Sequence, residues 1–278
     1  MMNSPAVRRL LGALLAVSAA AHAEDKPLWE AGLGIGAVSF PAYRGSDQRT
    51  TLPVPTPYFV YRGDFFKADR KGYRGVFFDS DRVELNMSVS ASVPVDSNHV
   101  DARRGMPDLK PTVEMGPSID INLWRSADQD RQLDLRLPVR YAVTVEGDPR
   151  SVGWQFTPRV NLDIEAPGGW RGWNLGLLAG PVFGSRRQHE YFYSVADRYA
   201  TVTREAYSAP GGYAGWQMLA ALSKRFPGYW VGGFVRYDSL SGAVFQGSPL
   251  VTSNRYAAGG IAIAWIIGES STRVAADD

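Results

Sequence analysis

Apolar and polar residues alternate with a period of two along several long stretches of the chain. Every second residue from Val83 to Val93 is apolar, and the residues between them are polar. The same alternation recurs over residues 133–145 and 154–165. A period of two indicates β-strands with one apolar and one polar face. No stretch has convincing helical periodicity, so the pattern predicts an all-β protein.

The alternation and the turn residues between the stretches predict twelve strands in one domain. The predicted strands cover residues 29–39, 54–62, 64–70, 73–79, 82–94, 111–125, 132–146, 153–166, 172–184, 213–226, 228–238 and 255–267. Strands of soluble proteins usually have about 5–6 residues, whereas a tilted membrane strand needs about 9–11. Most of the predicted strands reach or exceed the membrane length, and their ends are rich in Trp, Tyr and Phe, as in the aromatic girdles of membrane barrels. The sequence therefore predicts a transmembrane antiparallel up-and-down β-barrel of about 12 strands, within about 10 to 14.

Connection lengths agree with this prediction. The long connections, residues 40–53, 95–110, 185–212 and 239–254, all fall at one end of the barrel. The connections at the other end are all short and rich in turn residues. Outer-membrane barrels have short periplasmic turns and long outer loops, so the long connections are predicted to lie outside. The region 64–79 is the weak point, because two strands of about seven residues are short for a full crossing.

The first 23 residues have the pattern of an export signal. Arg8 and Arg9 precede an apolar stretch from Leu10 to Ala21, and Ala21-His22-Ala23 fits a signal-peptidase site. We expect residues 1–23 to be a cleaved signal peptide and residues 24–278 to form the barrel in the Gram-negative outer membrane, in contact with its lipid. Without Arg8 and Arg9 the chain has 28 basic and 28 acidic residues. This balance, with no basic stripe, argues against nucleic acid as a partner.

The polar strand faces should line the lumen. They carry both signs of charge, such as Asp134, Arg136 and Arg140 on one strand. Slipping that strand by one residue would place two cations in lipid, at about 2–4 kcal/mol each near the midplane. A selective pore is expected to favour one sign, so the mixture predicts a narrow or plugged lumen crossed by ion pairs.

Candidate chemistry is sparse. Beyond the signal segment the only histidines are His99 and His189. Both fall in predicted outer loops and are interpreted as solvated loop residues, although a barrel hydrolase using one of them is an alternative. We expect no catalytic residue, cofactor or metal. Gly32, Gly34 and Gly36 share one strand face and are interpreted as making room there rather than as a nucleotide loop.

The most distinctive loop contains Arg103, Arg104 and Asp108. Adjacent arginines and an aspartate can lock a loop internally through paired hydrogen bonds. They can equally present a docking surface, and the locking interpretation is favoured.

Several segments together resemble one family of Gram-negative outer-membrane proteins. They are Tyr43-Arg44-Gly45-Ser46, residues 57–64, residues 79–83, residues 102–109, residues 211–215, Arg236-Tyr237-Asp238 and residues 242–245. The chain is similar in these segments to the MltA-interacting protein (MipA)/OmpV family. The resemblance implies a non-enzymatic barrel and, from the family's namesake, a scaffold that links a murein lytic transglycosylase to a bifunctional murein synthase. The alternatives are a narrow channel or a surface adhesion or stress-response barrel, and the oligomeric state stays open.

Overall fold

The computed structural model describes residues 25–69 and 72–275. The predicted signal peptide, residues 1–23, lies outside the described residues. The strands are β1 (Asp25–Pro27), β2 (Trp29–Pro41), β3 (Arg49–Arg62), β4 (Phe66–Asp69), β5 (Gly72–Asp79), β6 (Val83–Ser92), β7 (Thr112–Arg125), β8 (Arg131–Thr144), β9 (Ser151–Phe156), β10 (Arg159–Glu165), β11 (Trp173–Gly184), β12 (Gly212–Arg225), β13 (Tyr229–Ser239), β14 (Arg255–Glu269) and β15 (Arg273–Ala275).

Strands β2 to β14 form one antiparallel sheet that closes on itself. β9 and β10 share one position in the wall, since both pair with β8 and both pair with β11. The wall of the described chain therefore has twelve positions, and the predicted twelve-stranded barrel is confirmed. The predicted strand 153–166 is interrupted near Pro158, whose nitrogen has no hydrogen to donate to a neighbouring strand. The weak region 64–79 does form two strands, β4 and β5.

The two strand faces separate as the alternation predicts. Leu33 and Ile35 of β2 are exposed on the outside of the wall. Asp134, Arg136 and Arg140 of β8 are buried on the inside. Because an exterior of large apolar side chains is stable in hydrocarbon, the barrel spans a membrane. The inside of the wall is a polar lumen.

The glycines of β2 allow β2 and β14 to approach closely. A Cβ on Gly32 would lie 2.1 Å from the carbonyl oxygen of Trp265, and one on Gly34 would lie 2.0 Å from that of Ile263. No side chain fits at such distances, so these glycines are needed for packing of the wall.

A small second sheet and a helix were not predicted. β1 pairs with β15 near the chain ends and forms a small second sheet, which we call the terminal clasp. The prediction of no helix was wrong for α1 (Arg186–Tyr193), an eight-residue helix whose first turn is capped by Ser185 Oγ accepting from Gln188 N. Among the described residues, no helix is long and apolar enough to cross a membrane.

Candidate functional site

One end of the barrel, which the connection lengths predict to be the outer end, is covered by its own loops. Residues 42–48, 93–111, 185–211 and 240–254 fold together there, and we call them the loop plug. The plug has an apolar core that also contacts Val182 of β11 and Ala214 of β12. Its buried apolar residues are Tyr43, Val95, Val100, Met106, Leu109, Tyr193, Val195, Ala209, Leu240, Ala243, Phe245 and Leu250. Because the loops bury apolar surface against each other, the plug is a folded part of the barrel.

Aromatic rings form the centre of the plug. The rings of Tyr193 and Phe245 stack with centroids 3.7 Å apart, and the His189 ring meets Phe245 edge-on at 4.6 Å. Tyr43 donates its hydroxyl hydrogen to the carbonyl oxygen of Leu250 at 2.6 Å. Burial raises the pKa of Tyr43 to about 12, so its hydroxyl keeps its hydrogen to a higher pH than that of an exposed tyrosine. These contacts join three of the four loops.

A buried ion-pair cluster ties the plug to the wall. The guanidinium of Arg44, from the first loop, donates to the carboxylate of Asp238 on β13 at 3.1 Å. Asp238 also accepts from Arg236 at 2.8 Å and from Gln217 at 3.2 Å. The Asp238 side chain is fully buried. The sequence analysis placed Arg44 and Asp238 in two separate segments and did not pair them, because the two residues are 194 positions apart in the chain.

The loop that contains the predicted site residues is folded into the plug. The buried guanidinium of Arg103 donates to Ser97 Oγ and to the carbonyl oxygens of Phe192 and Pro107, each at 3.1 Å. Burial lowers its pKa from the ordinary value. Asp108 accepts instead from the backbone N–H of Ser97 at 2.8 Å.

Arg104 differs from its neighbour Arg103. Its side chain is exposed and donates to the carboxylate of Asp101. Within the described residues, no hydrogen bond or ion pair joins Arg103 or Arg104 to Asp108, but Arg103 and Asp108 both bind Ser97. The locking role of these residues stays a prediction.

The two histidines have different surroundings. His99 is exposed, and its Nδ1 lies 2.8 Å from the carboxylate of Asp96. Hydrogen bonds from Asn98 N and His99 lower the pKa of Asp96. Ser97 Oγ donates to the carbonyl oxygen of Pro107 rather than to His99, so these residues do not form a Ser–His relay.

The interpretation of His189 as a solvated residue was wrong. Its ring is fully buried in the plug, with Nδ1 2.7 Å from the carbonyl oxygen of Pro210. Burial lowers the pKa of His189, and the nearby charge of Arg44 acts in the same direction. Sequence reasoning had no signal for this burial, because His189 follows polar residues in a loop.

Below the plug the lumen holds two cavities of about 610 and 1150 Å³. Both are lined by Arg136 and Arg159, which lie opposite each other in the register of β8 and β10. The carboxylates nearest to Arg136 are those of Asp120, Asp134 and Asp163, at 3.8, 3.7 and 3.6 Å. Arg140 donates to Ser88 Oγ at 2.9 and 2.7 Å.

Ion pairs also organise the opposite end of the barrel, which is the predicted periplasmic end. The buried carboxylate of Glu30 accepts from Arg62 at 3.1 Å and from Arg225 at 2.7 Å. Glu269 accepts from Arg225 at 3.1 Å and from Arg273 of the terminal clasp at 3.3 Å. The cluster joins β2, β3, β12, β14 and the clasp. Glu30 was not predicted as a site residue. Its position on the same face of β2 as Gly32, Gly34 and Gly36 was a signal for an acid inside the barrel.

The described residues contain no group of three or more His, Asp or Glu side chains that could hold a metal ion. Fold and site together therefore define an outer-membrane β-barrel with a folded loop plug and an ion-paired periplasmic end.

Comparison with known proteins places this barrel in a family. The family model described as MltA-interacting protein MipA matches residues 33–267, and the chain belongs to that family. The outer membrane protein OmpV of Vibrio cholerae serotype O1 is 25% identical over 174 residues. That match covers 60% of this chain and 62% of the length of OmpV. The similarity of this chain to an outer-membrane protein agrees with its barrel fold. This chain is an outer-membrane protein.

Two solved structures are similar to this chain at lower sequence identity. A bacterial polysaccharide outer membrane secretin is 10% identical, with a TM-score of 0.40, and the match covers 86% of this chain and 99% of that one. The outer membrane phospholipase A from Escherichia coli is 11% identical, with a TM-score of 0.33, over 88% and 95% of the two chains. At these scores neither likeness extends to chemistry.

Proposed function

We propose that this protein is a non-enzymatic docking protein of the outer membrane, which holds murein-remodelling enzymes at its periplasmic end. The family's description names interaction with MltA, and a lytic transglycosylase is therefore the first partner to test. A bifunctional murein synthase would be the second partner of a scaffold. The observation that supports the proposal is that the two ends of the barrel are built differently.

At the outer end, the loop plug occupies the mouth. At the other end, short turns and the terminal clasp form a rim stabilised by the Glu30 and Glu269 ion pairs. A rim held by ion pairs to the buried carboxylate of Glu30 can present turns in fixed positions, which lowers the ordering penalty on binding. Such a surface suits a periplasmic partner.

Trp170 is the candidate anchor on this rim. It lies in the turn between β10 and β11 and is 62% exposed. Tryptophan is enriched among the residues that dominate binding energy at protein interfaces. The same residue type also occurs in the lipid-contacting girdle of barrels. A test must therefore separate partner binding from membrane insertion.

The direct test is retention of the detergent-solubilised barrel by immobilised MltA. We expect saturable retention of the wild-type protein and at least about tenfold weaker retention of Trp170→Ala, equal to about 1.4 kcal/mol. Trp216→Ala is the matched control, because Trp216 is 45% exposed but lies towards the outer end. Wild-type protein that passes through the column would contradict the proposal.

A scaffold also requires two partners at once. With MltA immobilised and the barrel bound, a murein synthase should be retained only when the barrel is present. Equal retention of the synthase on MltA alone would contradict a scaffold role for the barrel. The barrel would then be a docking protein for MltA only.

A further inference from the structure

The barrel wall is low on one side. Among residues 25–69 and 72–275, the register between β3 and β4 consists of Tyr61 with Ala68 and Arg62 with Lys67. β4 and β5 form a hairpin that starts at the periplasmic turns, and Asp69 pairs with Gly72 at its described tip. β3 continues about ten residues beyond the level of this tip, to Arg49. The outer half of the wall therefore has a notch between β3 and β6.

The sequence of β3 is adapted to an unpaired edge. Pro53, Pro55 and Pro57 occupy alternate positions, so their nitrogens all lie on the same edge of the strand. Arg62 N donates to Leu28 O at 2.8 Å, which shows that even-numbered residues of β3 direct their N–H groups towards β2. The prolines consequently lie on the edge that borders the notch.

This placement has an energetic reason. An unpaired N–H in hydrocarbon costs several kcal/mol, and open sheet edges are avoided there. Proline removes the donor, and in sheets it is confined to edges for the same reason. Three prolines on one edge reduce the penalty of leaving that edge open. The notch is therefore a feature specified by the sequence.

Both lumen cavities reach the notch. The side chains of successive residues in a strand point to opposite faces of the sheet. A cavity that contacts several consecutive residues therefore touches both faces and extends around the edge of the strand. The smaller cavity contacts residues 88–93 of β6 and the segment after it, and residues 72–74 of β5. The larger cavity contacts residues 54–60 of β3. Tyr73 lines both cavities at the floor of the notch.

The cavities lead from the notch to guanidinium groups with unused donors. Arg159 faces Arg136 across the β8–β10 register, and like charges directly opposite are destabilising. Within the described residues, Nε of Arg136 and Nε of Arg159 are buried without a hydrogen-bond partner. Arg140, beside them, donates to the neutral Ser88. Arginine is the side chain best suited to bidentate binding of carboxylate or phosphate.

Apolar side chains surround the outer side of this path. Tyr73, Val89 and Val93 are exposed towards the lipid beside the notch. A ligand that fits both environments has an anionic head for the arginines and an apolar tail for the bilayer.

We propose that the notch is a lateral portal through which an amphiphile with a carboxylate or phosphate head enters the lumen from the outer half of the bilayer. Its head binds Arg136, Arg140 and Arg159. This inference is independent of partner docking at the periplasmic rim.

Binding is tested with the full-length barrel in nanodiscs of zwitterionic phosphatidylcholine. Dodecyl phosphate is titrated in, with dodecanol as the tail-only probe and inorganic phosphate as the head-only probe. We expect saturable binding of dodecyl phosphate, at least about tenfold weaker in Arg159→Gln. Arg186→Gln, at an exposed position of the plug helix α1, should bind like the wild type.

Arg159→Gln removes a charge opposite another cation, so it is expected to fold, and its heat-modifiable mobility on gels checks this. Absence of saturable binding, or equal binding by Arg159→Gln, would overturn the arginine site. Inorganic phosphate that binds as tightly as dodecyl phosphate would overturn entry of an amphiphile and indicate a site filled from water.

The portal itself is tested by chemical labelling, because the chain has no cysteine. Ser90→Cys places a thiol on β6 beside the notch, and Thr157→Cys places one on the cavity wall between β9 and β10. A maleimide carried on an acyl chain in phosphatidylcholine liposomes should label Ser90→Cys at least about ten times faster, since only that site borders the portal. A small water-soluble maleimide should show no such preference. Equal rates with the acyl-chain reagent would overturn lateral entry.

Discussion

The buried carboxylate of Asp238 offers the sharpest perturbation of the loop plug. It accepts hydrogen bonds from Arg44 at 3.1 Å and from Arg236 at 2.8 Å, and its side chain is 0% exposed. Asp238→Asn keeps the size of the side chain and removes its charge. Two guanidiniums then face each other without the anion between them, and one oxygen acceptor becomes an N–H donor. We expect the first loop to be released from β13.

The expected loss follows from these contacts. At an effective dielectric constant of about 20, a pair of unit charges about 3 Å apart attracts by about 5 kcal/mol before desolvation. Removing one partner of a buried pair typically costs about 3–5 kcal/mol. Because the arginines are partly exposed, we take the lower value of about 3 kcal/mol. The loss should appear as local opening of the plug, since loops unfold before the strands of the wall.

Limited proteolysis in nanodiscs measures this opening. When opening is fast relative to cleavage, the rate follows the open population, so about 3 kcal/mol predicts cleavage about 150-fold faster in Asp238→Asn. Asp79→Asn is the matched control, because Asp79 is 49% exposed and pairs with Lys67. An exposed pair contributes about 1 kcal/mol at most. Loops of Asp238→Asn that are cut at the wild-type rate would refute the reasoning.

Three further predictions concern the core of the plug and the wall of the barrel. Phe245→Ala should destabilise the plug by about 3–5 kcal/mol through loss of its packing, visible as faster proteolysis, and an unchanged rate would contradict the packed core. The lowered pKa of His189 means that the folded plug binds fewer protons than the open one, so its stability should fall as the pH drops below about 6.5. The rate of proteolysis of His189→Gln should no longer depend on pH in this range. A pH profile equal to that of the wild type would show that a group other than His189 causes the pH dependence. Gly34→Ala should prevent barrel assembly, judged by heat-modifiable mobility, while Gly228→Ala, with open space around it, should assemble normally.

Local patterning was sufficient to predict the wall of the barrel. The alternation from Val83 to Val93 predicts one lipid face and one lumen face, and the register of β6 with its neighbours follows from that requirement. Strand ends were less certain, because β3 begins at Arg49 rather than near residue 54. Of its alternating prolines, Pro53 fell in the predicted connection 40–53, whereas Pro55 and Pro57 fell in the predicted strand.

The plug and the clasp were not predictable in the same way. Arg44 meets Asp238 across 194 residues of sequence, and β1 meets β15 from opposite ends of the chain. A period of two carries no information about such contacts, because they depend on where the closed barrel brings the loops and termini. The burial of His189 likewise depends on Phe245, from another loop.

The sequence located the distinctive loop of Arg103 and Asp108, but not its contacts. A bidentate pair between arginine and aspartate was the expected lock. In the structure both residues bind Ser97, and Arg103 also reaches the carbonyl oxygen of Phe192 in the third loop. Every residue has a backbone carbonyl group, so the sequence does not indicate which carbonyl oxygens accept hydrogen bonds. This arrangement therefore could not be predicted from a motif.

The central claim is that the barrel is closed at its outer end by its own folded loops. Planar-bilayer recording of the purified full-length protein tests this claim most directly. We predict no steady conductance for the wild-type barrel, and brief openings in Asp238→Asn under the same salt and voltage. Steady, ohmic conductance of the wild-type protein would contradict the claim and favour the channel.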